Sequence, residues 1–487
     1  MTTPDHADSE NLKAAIEAIL PALEDFNRFG GKDASSRERD WKSELEERLP
    51  EKGVGLEGVL GVLANTVIPN GLRTGMPGFS GWVTTPPTSS ATAAALAGLV
   101  AGSQRWWLQS FNTLELVALE WLKELLGFPM EWQGTFNSGG SVANLIGIAA
   151  GRQYAFERIG IDPAQDGLPP DTRWRVYASE EIHHVVHRSA AILGLGRSSL
   201  AHIPVDDEFR IDLRALESTL KADMEAGVLP IAIVATAGTV NTGAIDPLDA
   251  IADLADEYNT WFHVDGAYGG FGLLDERVAS LFKGIERADS VAVDPHKWMA
   301  IPIGCGSTFV RDPELMGRAF NLGEAEYLEG AAVEGQAHST FDNFGELFHH
   351  FNLEQSSPSR GARVWAVLKE IGKEGMRARV VRHNSFARSL AELVKADDHL
   401  ELLSEPVLSI CCFRYHASGM KDEELNDLNT AIAARLRAEG QYVPSTTILN
   451  EQLAIRPCYI NPRTTQAEVA GLAQRVREIG DEMTGEG

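Results

Sequence analysis

Between residues 132 and 310 short apolar runs alternate with longer stretches of helical period, and this rhythm limits the fold more than any other feature of the 487-residue chain. The runs are Val176-Tyr177-Ala178, Leu200-Ala201-His202-Ile203, Ile231-Ala232-Ile233-Val234-Ala235, Trp261-Phe262-His263-Val264 and Val291-Ala292-Val293. The helical segments between them include 143–158, 212–226 and 246–258. The alternation predicts a mostly parallel sheet with helices on both faces. Gly304 to Val310 predicts one more strand. Sheets of this kind bind ligands beyond the carboxyl ends of their strands, so the residues that follow each run are the ones to inspect.

Three such strand ends carry chemistry. The run Ser290 to Val293 meets Pro295, which stops the strand and presents His296 and Lys297, with apolar Trp298-Met299-Ala300-Ile301 downstream. A lysine desolvated in a cleft is a free amine able to attack a carbonyl. His263-Val264-Asp265-Gly266-Ala267 puts a carboxylate at the end of an apolar strand, a place also suited to a helix N-cap. Asn137-Ser138-Gly139-Gly140-Ser141 follows a short β-like stretch and opens a helix at about 142, so its amides and hydroxyls form a phosphate cup at a helix N-terminus. It is neither a P-loop nor a dinucleotide fingerprint, and a plain Ser/Gly capping turn reads the same way. His183, His184 and His187 have the spacing of a metal site on a helix face, but without His-Glu-x-x-His they are read as no metal site. A phosphate cup, a strand-end acid and a strand-end lysine in one domain suit pyridoxal 5'-phosphate: phosphate in the cup, pyridine nitrogen on the acid, aldehyde on the lysine.

The flanks have other rhythms. Residues 11–26 and 41–67 have helical period but no compact partner, and with the Gly/Pro/aromatic loop from Gly75 to Trp82 they predict an N-terminal helical arm over 1–85. The large α/β domain is expected over 86–375, and alternating strands and helices predict a small α+β domain over 376–487. Segment 321–345, with Tyr327, has the composition of a mobile loop. A net charge of −26 argues against nucleic acid and anionic membrane surfaces as partners. Four cysteines without metal-ligand spacing, an acidic N-terminus with no signal pattern and no membrane-length apolar run predict a cytoplasmic protein.

The Ser-Gly-Gly-Ser turn at 138–141, the segment Glu180 to His183, Ala235-Thr236-Ala237-Gly238-Thr239, His263 to Tyr268 and Asp294-Pro295-His296-Lys297-Trp298 resemble, in order and approximate spacing, the group II pyridoxal-phosphate decarboxylases. That family includes the aromatic-L-amino-acid, tyrosine and glutamate decarboxylases. The resemblance implies a fold-type I enzyme, with a mostly parallel seven-stranded sheet, that forms a homodimer with a shared active site and decarboxylates an L-amino acid. It further implies Lys297 as the residue that takes the cofactor's aldehyde and Asp265 as partner of the pyridine nitrogen. His183 and Ala267 would sandwich the ring, Gly140, Ser141 and His296 would hold the phosphate, and Thr239 and Tyr327 would complete the site. Animal aromatic decarboxylases have asparagine where this chain has Asp294, and a second threonine where it has Val240. The aromatic residues Phe79, Trp82, Trp106 and Trp107 favour an aromatic substrate, though core packing uses the same residues. An aldehyde-forming oxidation, another lyase or aminotransferase reaction, and a non-catalytic metal- or phosphate-binding protein are the alternatives.

Overall fold

The computed structural model describes residues 11–29, 41–102, 109–320 and 348–485, so Trp106, Trp107 and Tyr327 lie outside the described residues. In chain order the strands are β1 (Phe79–Ser80), β2 (Gln133–Asn137), β3 (Trp174–Ser179), β4 (Leu200–Ile203), β5 (Leu229–Thr236), β6 (Trp261–Asp265), β7 (Ser290–Val293), β8 (Gly306–Val310), β9 (Leu400–Ser404), β10 (Cys412–Tyr415), β11 (Val443–Leu449) and β12 (Gln452–Arg456). Two compact units emerge: Val83–Ala391 with Ser404–Cys412, and Met1–Trp82 with Glu392–Leu403 and Phe413–Gly487.

The larger unit is built on a seven-stranded sheet of order β2-β8-β7-β6-β5-β3-β4. Only β8 runs against its neighbours β7 and β2, so the sheet is mostly parallel, as expected. Every residue of β6, β7 and β8 is buried, and because successive side chains alternate between faces, both faces are covered. The fold is α/β of the fold-type I kind. The chain order changes direction between β3 and β5, the crevice position at which such sheets bind ligands.

The helix Gly140–Glu157 packs on β5 to β8. Two glycines one turn apart let it lie close. A Cβ on Gly147 would stand 2.4 Å from His263 Cε1, and one on Gly151 would stand 2.8 Å from Trp261 Cδ1. His263 and Asp265 are two apart on β6 and share one face, so the fit that seats the helix on His263 also sets the helix start beside Asp265. Residues 361–395 form a long helix, Gly361–Lys395, interrupted at Gly372 (φ 65°).

In the smaller unit β1, β11, β12, β10 and β9 form a five-stranded sheet, with β1 parallel to β11 and β11-β12-β10 antiparallel. Asn450 and Glu451 turn the β11–β12 hairpin with φ of 47° and 67°, as a two-residue hairpin turn demands. The helix Asp422–Glu439 covers β11 and β12 and packs on Gln466–Thr484. The N-terminal residues group with this sheet because Asn461 Nδ2 donates to Met76 O (2.9 Å), Thr464 Oγ1 to Pro77 O (2.8 Å) and Val443 N to Gly78 O (3.0 Å). The expected helix over 41–67 is broken into Lys42–Leu45 and Gly55–Val62, since Pro50 and Gly53 interrupt it. No helix among the described residues is long and apolar enough to cross a membrane.

Candidate active site

The cup forms where β2 ends. Asn137 Oδ1 accepts from Gly139 N at 3.1 Å, while its Nδ2 donates to Thr308 Oγ1 at 3.2 Å, fixing the turn against β8. Gly139 has φ 129° and ψ 178°, a conformation closed to side-chain-bearing residues, and it starts the helix at Gly140. The amides of Val142 and Ala143 are spent on Gly139 O, which leaves Gly140 and Ser141 to offer the free donors of the first turn.

A directional hydrogen-bond chain supports that turn from beneath. Trp261 Nε1 donates to Ser290 Oγ (2.9 Å), and Ser290 Oγ lies 2.8 Å from His263 Nδ1. His263 Nε2 meets Asn144 Oδ1 at 2.9 Å, and Asn144 Nδ2 donates to Gly140 O at 2.8 Å. Asn144 Oδ1 can only accept, so His263 carries its proton on Nε2 and accepts from Ser290 at Nδ1. The ring is neutral: burial pushes its pKa down to about 4, against a smaller opposing pull from Asp265.

At the end of β6, Asp265 accepts from Ala267 N at 3.1 Å through Oδ1. His183 lies in the turn after β3, its Nδ1 accepting from Val185 N at 3.2 Å. Burial lowers the His183 pKa, partly offset by Asp265. The three histidines do not share a helix face. The helix Val185–Ile192 begins after His183 and His184, and His187 turns to His202, with Nε2 atoms 3.3 Å apart.

Lys297 sits on the one-turn helix Pro295–Trp298, where proline at the first position suits the helix start. The turn is anchored from behind. Trp298 is fully buried and its Nε1 donates to Tyr268 O at 2.6 Å, Arg379 Nη1 donates to Met299 O at 2.8 Å, and Thr88 N donates to Ala300 O at 2.7 Å. Lys297 Nζ is 3.1 Å from Asp294 Oδ2. His296 Nδ1 donates to Cys305 O at 2.7 Å, which frees Nε2.

A cavity of about 280 Å³ collects Gly140, Ser141, His183, Asp265, Ala267, His296 and Lys297. Thr239 is apart from them. It is wholly buried and does not line the cavity, because its Oγ1 is held within its own turn by Thr242 Oγ1 (2.9 Å) and Ala244 N (3.2 Å). Its neighbours Gly238 and Val240 form the wall instead, with Thr236 at the end of β5. The sequence reading missed Asn144 and Thr236 as lining residues; the signal for Asn144 is its place one turn after Gly140, on the same helix face.

These residues fit pyridoxal phosphate. The cup is a cradle that side chains would fill, since a Cβ on Gly139 would stand 3.3 Å from His296 Cε1 and one on Gly140 2.6 Å from Asp294 Oδ2. The donor set gives amides and a hydroxyl for a phosphate, a carboxylate for a pyridine nitrogen and an amine for an aldehyde.

A sequence model of the family described as "Pyridoxal-dependent decarboxylase conserved domain" matches residues 40–416. The chain is 31% identical to an aromatic-L-amino-acid decarboxylase of Bacillus atrophaeus, over 98% of each chain. It is 32% identical to an L-2,4-diaminobutyrate decarboxylase of Rhizobium meliloti, over 89% of this chain and 84% of that one. Its fold superposes on a crystal structure of Oryza sativa TDC with PLP and tryptamine with TM-score 0.89 at 21% identity, covering 99% of this chain and 100% of that one.

Proposed function

The chain belongs to the pyridoxal-dependent decarboxylases and is a pyridoxal-phosphate-dependent amino acid decarboxylase; from that premise we propose that its substrate is an aromatic L-amino acid, released as the amine and carbon dioxide. The observation that carries the aromatic reading is the cavity mouth. Val240 and Ile303 line it, and Ile303 is 71% exposed, an apolar rim that suits a flat apolar side chain. A diaminobutyrate side chain, cationic at neutral pH, would need a carboxylate there. The relatives include both an aromatic-L-amino-acid and an L-2,4-diaminobutyrate decarboxylase at about equal identity, so the choice rests on the rim.

Bound pyridoxal phosphate supplies the electron sink that stabilises the carbanion left when carbon dioxide departs. Lys297 would hold the cofactor through its aldehyde and give way to the substrate amine. Asp265 Oδ2 would keep the proton on the pyridine nitrogen. Neutral His183 would stack on one ring face and Ala267 would close the other. Gly140 and Ser141 would donate to the phosphate, and His296 would help to hold it. Thr239 would act by shaping the turn that carries Gly238 and Val240. Tyr327, outside the described residues, would return a proton to the substrate's α-carbon, which favours amine over aldehyde.

We also propose a homodimer with a shared active site, with 1–85, 86–375 and 376–487 serving as arm, cofactor domain and small domain. Apolar helical surface supports the dimer. The helices Leu12–Phe26 and Gly55–Val62 bury no residue in the single chain, and on the helix Ser89–Ala101, Leu99 is 67% exposed. Four buried cysteines without metal-ligand spacing fit the reducing cytoplasm we propose as its location.

The test is kcat/KM for L-tryptophan, L-tyrosine, L-phenylalanine, L-glutamate and L-2,4-diaminobutyrate, with amine and aldehyde both assayed. At least one aromatic substrate should lead by about tenfold or more, a preference of about 1.4 kcal/mol in transition-state binding. Preference for diaminobutyrate would sink the aromatic reading.

A further inference from the structure

Asp294 puts a carboxylate between a lysine and a cradle built for an anion. It is 1% exposed. It occupies the N-cap position of the one-turn helix Pro295–Trp298, yet its side chain makes no cap hydrogen bond. Instead Oδ2 lies 3.1 Å from Lys297 Nζ and within 2.6 Å of where a Cβ on Gly140 would stand. Oδ1 is buried and has no hydrogen-bond partner among the described residues; a Cβ on Gly306 would stand 2.7 Å from it. The titratable groups around it are Lys297 and His296 on its own turn, Asp265 from β6, His183 from the turn after β3, and Cys305 from the loop before β8. Burial pushes the Cys305 thiol up to about 12, so it brings no charge. Of these groups Lys297 is the cation that Asp294 touches.

We propose that Asp294 is a positioning residue that holds Lys297 while the cradle is free of phosphate and opposes the phosphate once the cradle is filled, so that its charge limits cofactor retention. This rests on the reading of Gly139 to Ser141 as the phosphate cradle. In the free protein the charges of Lys297 and Asp294 offset each other. When Lys297 turns to the cofactor's aldehyde, a buried carboxylate is left beside an anionic phosphate, and like charges at that range weaken binding by about tenfold or more. An uncharged amide in place of the carboxylate would remove the repulsion.

The experiment measures the dissociation constant of pyridoxal 5'-phosphate for cofactor-free enzyme by fluorescence quenching at about pH 8. Wild type and Asp294→Asn are compared, with inorganic phosphate as a competitor. Asp294→Asn should bind the cofactor about tenfold more tightly, and phosphate should compete about threefold better. A residue that only supported the turn would tighten neither ligand. Equal affinities in the two proteins, or weaker binding by the variant, would overturn the proposal. Phosphate that competes in neither protein would overturn the cradle reading itself, and the proposal with it.

Discussion

Gly147→Ala tests whether the helix Gly140–Glu157 and its cup are seated by His263. The added Cβ would stand 2.4 Å from His263 Cε1, 2.5 Å from Nδ1 and 3.0 Å from Ser290 Oγ. None of these atoms can withdraw easily, because both residues are fully buried and the ring is bonded at both nitrogens. Either the helix lifts or the ring turns. Overpacking costs about 1–3 kcal/mol and each lost hydrogen bond about 1 kcal/mol, so the sum is about 3–5 kcal/mol. At roughly 2 °C per kcal/mol the melting temperature should fall by about 6–10 °C. Asn144 ties the ring to Gly140 O, so the cup should move as well and cofactor affinity should drop about tenfold. On a His263→Ala background the new methyl enters vacated space, and its cost should shrink by at least about 2 kcal/mol. Melting curves and cofactor titrations of the four proteins measure this coupling. Additive effects, with a coupling below about 0.5 kcal/mol, would refute the argument.

The same histidine gives a pH prediction. Its folded pKa of about 4 lies below the ordinary 6.5, so the stability it contributes is present above pH 6.5 and lost as pH falls toward 4. Denaturant titrations at pH 7 and pH 4 should show wild type losing about 3 kcal/mol more than His263→Gln, and equal losses would exclude a buried neutral ring. Lys297→Ala should leave no measurable turnover while circular dichroism stays that of the wild type, and normal turnover would reject the assignment. Asp265→Asn should lower kcat about a hundredfold, for a lost charge-assisted hydrogen bond of about 3 kcal/mol; an unchanged rate would mean that another group serves the ring nitrogen. Tyr327→Phe should divert a large share of turnover to aldehyde with oxygen consumption, read by an oxygen electrode beside an amine assay, and an amine-only product profile in both proteins would remove Tyr327 from the reaction.

What the sequence reveals of this site depends on what fixes each side chain. Lys297, Asp265 and Ser141 are placed by the end of their own element, a proline stop, a strand terminus and a helix start, and such ends leave marks within a few residues. The inner strands of the large sheet are legible for a related reason: β6 and β7, buried on both faces, appear as largely apolar runs, and β7 ends where its run does. Thr239 matches a motif, yet its hydroxyl closes its own turn, because a residue's spacing does not say on which side of a turn it will bond. Contacts across the sheet leave no local mark at all. His263 and Asn144 are 119 residues apart in sequence, and neither an apolar strand with one histidine nor a small-residue helix with one asparagine announces the bond between them. The glycines come closest to doing so. Gly147 and Gly151 break an otherwise good helix former at one-turn spacing, a cost of about 1 kcal/mol each that a sequence sustains where a bulky partner must approach, and here those partners are His263 and Trp261. The polar chain beneath the cup is therefore encoded twice, once in the residues that make it and once in the side chains left out to admit it.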